Sequence, residues 1–330
     1  MKLCILSITA EGRQLAERIA AELPNCDVLV AQKKIADTMR DVWYEYQGII
    51  CIMATGIVVR SIAPLLQDKT SDPCIVVVDQ RGHFAISMLS GHLGGGNVLA
   101  DKVATITGGQ SVITTASDVI GATALDLWAR RNGLIVTDRM RLTEKSAKLV
   151  DGAILTVFSE LPLLGLPLDL KPCDNPEDAD IVISCNKNMT SSGLCCIPEN
   201  LYLGVGCNRG TSVTDIEQSF IELCDKHQLD TRAIAGIATI DVKNDETGIL
   251  DFAKKRNVDP TFFTRDELNG VGDVSYSAAV MKAVGAKGVA EPASLLAAGA
   301  NGHEAQLIIR KMKWKDVTLA VAKRIKNRWA

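Results

Sequence analysis

No stretch of the 330-residue sequence approaches the roughly 20 uninterrupted apolar residues that a membrane-spanning helix requires. The N-terminal apolar run, Lys2 to Ile8, is too short for a secretory signal. Glu11, Arg13 and Glu17 follow it where a small-residue cleavage site would stand. A cytoplasmic protein with no membrane partner is expected. Excess positive charge is missing as well: 36 Lys and Arg against 39 Asp and Glu leave a formal charge of −3, so nucleic acid is not an expected partner. The ten cysteines form no C-x-x-C pair and have no histidine at ligand spacing, which argues against a metal site and for buried, reduced thiols. Cys195 and Cys196 are adjacent, but no cationic neighbour that would activate them is evident. No internal repeat of the length used by solenoids is present.

What is present is an ordinary globular composition, 47% hydrophobic and 23% charged, in a chain long enough for two or three domains. Apolar runs and amphipathic stretches alternate, which predicts an α/β fold with an N-terminal open, mostly parallel sheet flanked by helices. Expected strands are Leu3 to Ile8, Val28 to Ala31, Gly48 to Ala54, Cys74 to Asp79 and Ser111 to Thr115. Expected helices are Glu11 to Leu23, Asp37 to Tyr46, Ile57 to Leu66, Asn97 to Thr107 and Ala122 to Asn132. Prolines 162, 167, 172 and 176 weaken the pattern over 139–200, where Ala153 to Phe158 and Ile181 to Ser184 still read as strands. A fresh α/β domain begins at Leu201, with strands Leu201 to Val205 and Ala233 to Ile240 and a helix over Val213 to His227. Gln306 to Lys311 and Val317 to Val321 fit strand or helix equally. The expected organisation is therefore a domain over 1–138, a small middle region over 139–200, and a C-terminal α/β domain over 201–330.

Several strand-to-helix junctions carry polar side chains beside glycines. In the run Asp79 to Asn97, Arg81, His83, Ser90, His92 and Asn97 surround Gly91, Gly94, Gly95 and Gly96 just ahead of a helix. Such a loop can leave backbone N–H groups free for carboxylate or phosphate oxygens, and His92 is the residue suited to proton transfer near neutrality. The alternative is a tight turn whose histidine only satisfies backbone groups. Thr55 and Gly56 open another junction, with Arg60 one turn in, able to offer paired donors to a carboxylate or simply to be a solvated helix arginine. Thr114-Thr-Ala-Ser-Asp118 forms a third, where the hydroxyls and Asp118 bind a ligand or simply cap a helix. All three are read as strand carboxyl ends, where open parallel sheets place ligands.

In the C-terminal domain, Gly204 to Ser212 is a glycine turn containing Gly206, Arg209, Gly210 and Thr211. It lacks the Gly-Lys-Ser/Thr of a P-loop, and Arg209 stands at the third glycine of G-x-G-x-x-G, so a nucleotide site is a weak reading and an anion cradle a better one. Glu291 precedes Pro292 at a helix start, either as a cap or as a group that meets substrate.

Taken together, Gly56-Ile-Val-Val-Arg60, Ser90-Gly-His-Leu-Gly-Gly-Gly-Asn97, Val112-Ile-Thr-Thr-Ala-Ser-Asp118, Gly204-Val-Gly-Cys-Asn-Arg-Gly-Thr211 and Gly288-Val-Ala-Glu-Pro292 resemble the CbiG family, the cobalt-precorrin-5A hydrolases. Two positions depart from the family pattern. Gly96 stands where alanine is usual, a change expected to be harmless, and Asn208 stands where arginine is common, which leaves Arg209 as the cation of that loop.

The resemblance implies a hydrolase that opens the δ-lactone of cobalt-precorrin-5A, releases acetaldehyde and yields cobalt-precorrin-5B in cobalamin biosynthesis. It implies a cobalt-tetrapyrrole substrate that carries its own metal, so no cofactor of the protein is expected. His92 is the expected base and Glu291 the second candidate. Glycine-loop N–H groups are expected at the oxyanion, and Thr55, Gly56, Arg60, Arg81, Ser90, Gly91, Gly94, Gly95, Asn97, Thr115, Asp118, Gly206, Arg209, Gly210 and Thr211 at the substrate. The binding cleft is expected between the N- and C-terminal domains, with transient contacts to other enzymes of the pathway. A tetrapyrrole carrier without chemistry is the competing reading, and a nucleotide-dependent enzyme the third.

Overall fold

The computed structural model describes residues 1–30, 34–68, 71–189 and 192–325. It is a mixed α/β protein with three mostly parallel sheets flanked by helices. Its two compact units are Met1–Leu127 and Trp128–Ala330.

The first unit contains β1 (Leu3–Ser7), α1 (Ala10–Glu22), β2 (Cys26–Val30), α2 (Ile35–Val42), β3 (Gly48–Ile52), α3 (Thr55–Ile62), β4 (Cys74–Val78), β5 (Phe84–Leu89), α4 (Gly96–Thr107), β6 (Gln110–Val112) and α5 (Ala116–Ile120). Every residue of β1, β3 and β4 is buried, as expected for strands covered on both faces. One face packs Leu15 and Ile19 of α1 with Leu99 and Val103 of α4, and the other packs Met39, Trp43 and Val58. The Thr9 hydroxyl starts α1 by accepting the Gly12 N–H at 3.0 Å. The strand expected to end at Ala31 runs to Val30, and Ala31 itself lies outside the described residues.

Strand order is β2-β1-β3-β4-β5-β6, and one reversal within it decides where the site can be. The stretch 79–97, read from sequence as one loop, contains β5, which pairs antiparallel with β4 through Ile75 and Leu89. The short β6 then runs parallel to β5. Carboxyl ends of β5 and β6 therefore lie at the edge opposite to those of β3 and β4. The expected convergence of the three junctions is thus overturned: 90–97 and 114–118 share one edge, while 54–60 and the 79–83 turn sit at the other. A tight turn through Gly82, at φ +73°, makes the reversal.

In the second unit, β7 (Leu134–Val136), α7 (Arg139–Val150), β8 (Leu155–Ser159), β9 (Leu170–Pro172), β10 (Ile181–Ile183) and β11 (Leu194–Pro198) follow α6 (Leu125–Arg131), which crosses the unit boundary. They form a sheet in the order β7-β11-β10-β8-β9. Because β7 pairs with β11, a boundary at 138 would separate a strand from its own sheet. The helix α7 went unread because the prolines that dominate the region all follow it; Asp138 caps it by accepting the Met140 and Arg141 N–H groups.

The remaining elements are β12 (Leu201–Cys207), α8 (Val213–Lys226), β13 (Ile234–Ile240), α9 (Thr247–Lys255), β14 (Pro260–Phe263), α10 (Arg265–Gly270), α11 (Ala278–Val284), α12 (Ala290–Ala298), β15 (Glu304–Lys313) and β16 (Val317–Ile325). The sheet order is β14-β13-β12-β16-β15, with β15 and β16 forming the long hairpin whose type the sequence left open. Phe220 and Phe252 meet edge to face at 5.6 Å between α8 and α9. Cys185 joins this core, and Lys187 pairs with Asp225 at 2.6 Å, which ties the middle sheet to the last one.

Candidate active site

Strand β5 ends at Leu89, and Ser90 turns the chain with a positive φ of 52°, its hydroxyl donating to the Asp72 carbonyl at 3.1 Å. The glycine loop then closes on itself. The N–H groups of Gly95, Gly96 and Asn97 donate to the carbonyls of His92, Ser90 and Gly91 at 2.9, 3.1 and 2.9 Å. Those three donors are therefore not available to an oxyanion or a carboxylate. Gly91 is needed for close approach: a Cβ there would lie 2.5 Å from the Asn97 Oδ1. Gly96 is not a neutral departure either, since a Cβ would stand 2.9 Å from the Leu89 carbonyl oxygen.

What the closed loop does is present His92. Its Nε2 lies 2.8 Å from Asp118 Oδ2 and 3.2 Å from the Ser117 Oγ. Asn97 Nδ2 donates to the same Asp118 oxygen at 2.8 Å and to the Thr115 Oγ1 at 3.2 Å, while its Oδ1 accepts from the Ser87 hydroxyl at 2.6 Å. Asn97 is buried, so it fixes the carboxylate from below. On the other side of the ring, Nδ1 stands 3.8 Å from Asp126 Oδ1. The His92 side chain keeps 18% of its surface exposed and Asp118 keeps 40%. A base held by a carboxylate and reachable from solvent is an arrangement suited to moving a proton.

Ser90, Gly91, Gly94, Gly95, Asn97, Thr115 and Asp118 are thus brought together with His92. Thr55, Gly56, Arg60 and Arg81 are not, because they belong to the far edge. There the Arg60 guanidinium folds back over Gly56, with Nη1 3.5 Å from where a Cβ would sit. Sequence reasoning missed Ser87, hidden in a strand taken for a loop, and Asp126. Ser117 was quoted only as a capping hydroxyl, yet its side chain faces the imidazole.

The C-terminal loop is satisfied differently. Gly210 N–H donates to Glu246 Oε1 at 2.8 Å, and Lys243 Nζ to Glu246 Oε2 at 3.0 Å. Arg209 pairs with Asp245 and donates to the Val242 carbonyl at 2.6 Å. Thr211 donates to the Asn208 carbonyl at 2.9 Å. The anion in this cradle is the protein's own Glu246. Burial works to raise that carboxyl, but Lys243 and the Gly210 N–H outweigh it and hold it below the usual range. Of the expected residues of this loop, Gly206 lines a cavity in the second unit.

Glu291 sits in the first turn of α12, 2% exposed, and neither caps the helix nor stands free. It accepts from the Ser275 N–H, the Ser275 hydroxyl and the Lys311 N–H at 2.6, 2.9 and 2.9 Å. Burial pushes its carboxyl up, but these donors and Arg310 prevail, so it is held below the ordinary value. A carboxylate so occupied has little capacity left to take a proton, which removes the geometric case for Glu291 as base.

Among the described residues no group of three or more His, Cys, Asp and Glu is arranged to hold a metal ion, and no described helix is long and apolar enough to cross a membrane. Burial raises the thiols of Cys195 and Cys196, the latter to about 12, and successive positions in β11 point to opposite faces.

The cobalamin synthesis G N-terminal family model matches residues 37–118, and the cobalamin synthesis G C-terminus model matches residues 201–322. A cobalt-precorrin-5A hydrolase of Priestia megaterium is 30% identical over 354 residues, spanning 96% of this chain and 94% of that protein. The chain belongs to the CbiG family. A second CbiG relative, a cobalt-precorrin-5A hydrolase of Salmonella typhimurium, is 30% identical over 97% of each chain. The His92 network lies within the N-terminal CbiG match apart from Asp126, and the Glu246 and Glu291 clusters lie within the C-terminal one.

Proposed function

We propose that this chain opens the δ-lactone of cobalt-precorrin-5A with water and releases acetaldehyde, giving cobalt-precorrin-5B in cobalamin biosynthesis. The observation that carries the reading is the His92–Asp118 contact of 2.8 Å, in a chain whose relatives over nearly its full length are named cobalt-precorrin-5A hydrolases. With the ring proton on Nε2 shared with Asp118, the Nδ1 lone pair is the one that takes a proton from water. The water oxygen bonds to the lactone carbonyl carbon, and the proton passes to His92, where Asp118 pairs with the imidazolium. Thr115 accepts from Asn97 and keeps its own hydroxyl proton to donate to the developing oxyanion.

Collapse breaks the ring C–O bond, and the leaving alkoxide recovers the proton from His92. The products of this stage are a free carboxyl group and a secondary alcohol. Loss of the alcohol proton to His92 then lets the adjacent C–C bond break. The carbonyl of acetaldehyde forms, the electron pair of the broken bond enters the conjugated macrocycle, and a proton returns to the product. The cobalt belongs to the substrate, and no cofactor of the protein takes part in these steps. Val98, Val119 and Ile120, all left exposed beside Asn97 and Asp118 in the chain, suit the face of a flat macrocycle.

The test is to incubate the purified full chain with cobalt-precorrin-5A and trap acetaldehyde. Stoichiometric release is expected; binding of the tetrapyrrole with no acetaldehyde would make the protein a carrier.

A further inference from the structure

The second unit holds a cavity of about 480 Å³ at the carboxyl ends of β12 and β13, lined by none of the residues used in the chemistry above. Its size falls within the roughly 300–1,000 Å³ typical of small-molecule sites. Ile240, Val280, Val284 and Val289 give it an apolar floor, and Lys311, Lys313 and Lys315 from the β15–β16 hairpin stand around it. The Lys313 and Lys315 ammonium groups have no hydrogen-bond or ion-pair partner among the described residues. Lys311 reaches only the carbonyls of Ser275 and Tyr276, at 3.5 and 3.4 Å. The acids in the wall do not answer these charges: Glu291 is saturated by Ser275 and the Lys311 N–H, and Asp316 accepts from Asn208 at 2.8 Å.

An independent feature points the same way. Thr239, one residue before the end of β13, is wholly buried in the cavity wall, and its hydroxyl has no hydrogen-bond partner among the described residues. A buried hydroxyl left unpaired is costly, and native proteins rarely keep one without an occupant to satisfy it.

We propose that this cavity is a carboxylate-binding site that receives an acid-bearing edge of a tetrapyrrole. Lys313 and Lys315 meet its carboxylates, the Thr239 hydroxyl hydrogen-bonds the group that reaches the floor, and the valines cover ring carbon. The proposal deepens the substrate reading above and rests on it for the identity of the ligand. The 90–97 loop supplies nothing to this site, and the 204–212 loop gives its wall only Gly206, Cys207 and Asn208; the cations come from the hairpin.

Uroporphyrin, a stable porphyrin with eight carboxylates, serves as the probe in a fluorescence titration of the full chain. The double variant Lys313→Gln/Lys315→Gln is expected to raise its Kd about tenfold and to flatten its salt dependence. Lys226→Gln, an exposed change on α8 outside the cavity, is expected to leave Kd unchanged. Thr239→Val is expected to raise Kd and, by removing an unpaired hydroxyl, to raise the Tm of the free protein. A merely structural threonine would not move the two in that combination. A wild-type chain that does not bind uroporphyrin, a double variant within twofold of wild type, or an equal loss in Lys226→Gln overturns the site. Acetaldehyde release is read separately, so a chain that binds uroporphyrin through these lysines but releases none keeps the site and loses the hydrolase reading.

Discussion

The glycine loops at 90–97 and 204–212 look alike in sequence, each following an apolar strand and leading into a helix with small polar residues alongside. In the first, the N–H groups of Gly95, Gly96 and Asn97 turn inward to loop carbonyls, and the side chains project into a network around His92 that remains partly exposed. In the second, the donors turn toward Glu246 and Asp245, and the acid is buried with Lys243. Glycine content alone therefore does not distinguish a ligand cradle from a structural clamp. The identity of the acceptor does: a backbone carbonyl leaves side chains free for chemistry, whereas an internal carboxylate consumes them.

If the loops divide the work in this way, damage to the first should cost turnover and damage to the second should cost stability. The largest effect is expected from His92→Ala, which should lower acetaldehyde release by about 10² to 10⁴-fold while Tm stays near wild type; full activity would exclude His92 as the base. Asp118→Asn should lower turnover by a smaller factor and add little to His92→Ala, since the two act as a unit. Glu246→Ala should cost about 3 kcal/mol, a Tm drop on the order of 10 °C, because the Gly210 N–H and the Lys243 ammonium lose their acceptor. Unchanged Tm in that variant would show that the clamp is not structural.

The carboxyls of Glu246 and Glu291 are both depressed in the fold, so their contribution is fully present above the ordinary glutamate value of about 4.3. It is lost as pH falls through the lower folded values. The double variant Glu246→Gln/Glu291→Gln should flatten the Tm profile on the acid side, and an unaltered acid limb would contradict the assignment. Smallest of all, Arg81→Ala, at the opposite sheet edge from His92, should leave kcat within about twofold. A large kcat loss there would break the geometric separation of the two edges.

Much of this was legible in the residues. Buried runs such as Ile49 to Ile52 and the four-residue spacing of Leu15 and Ile19 gave strands and a helix where they stand. His92, Asn97, Thr115 and Asp118 were picked out before any geometry joined them. What sequence could not show was direction. Phe84 to Leu89 is a half-covered strand with Ser87 in its middle, so it lacks the continuous apolar run that marked its neighbours. Reading it as loop put Arg60 and Arg81 beside His92. Hydrogen-bond accounting was likewise invisible: nothing near Gly210 in the chain announces that Glu246, 36 residues later, takes its N–H. Thr239 and the hairpin lysines escaped because a cavity wall assembled from four separate segments leaves no local pattern.

The reversal between β4 and β5 also has a practical side for redesign. A sheet whose strands disagree in direction carries two sets of connections that can be altered separately. The turn at 79–83 and the junction at 54–60 can be lengthened, tagged or randomised from one side, leaving the histidine and its carboxylate partner in place on the other.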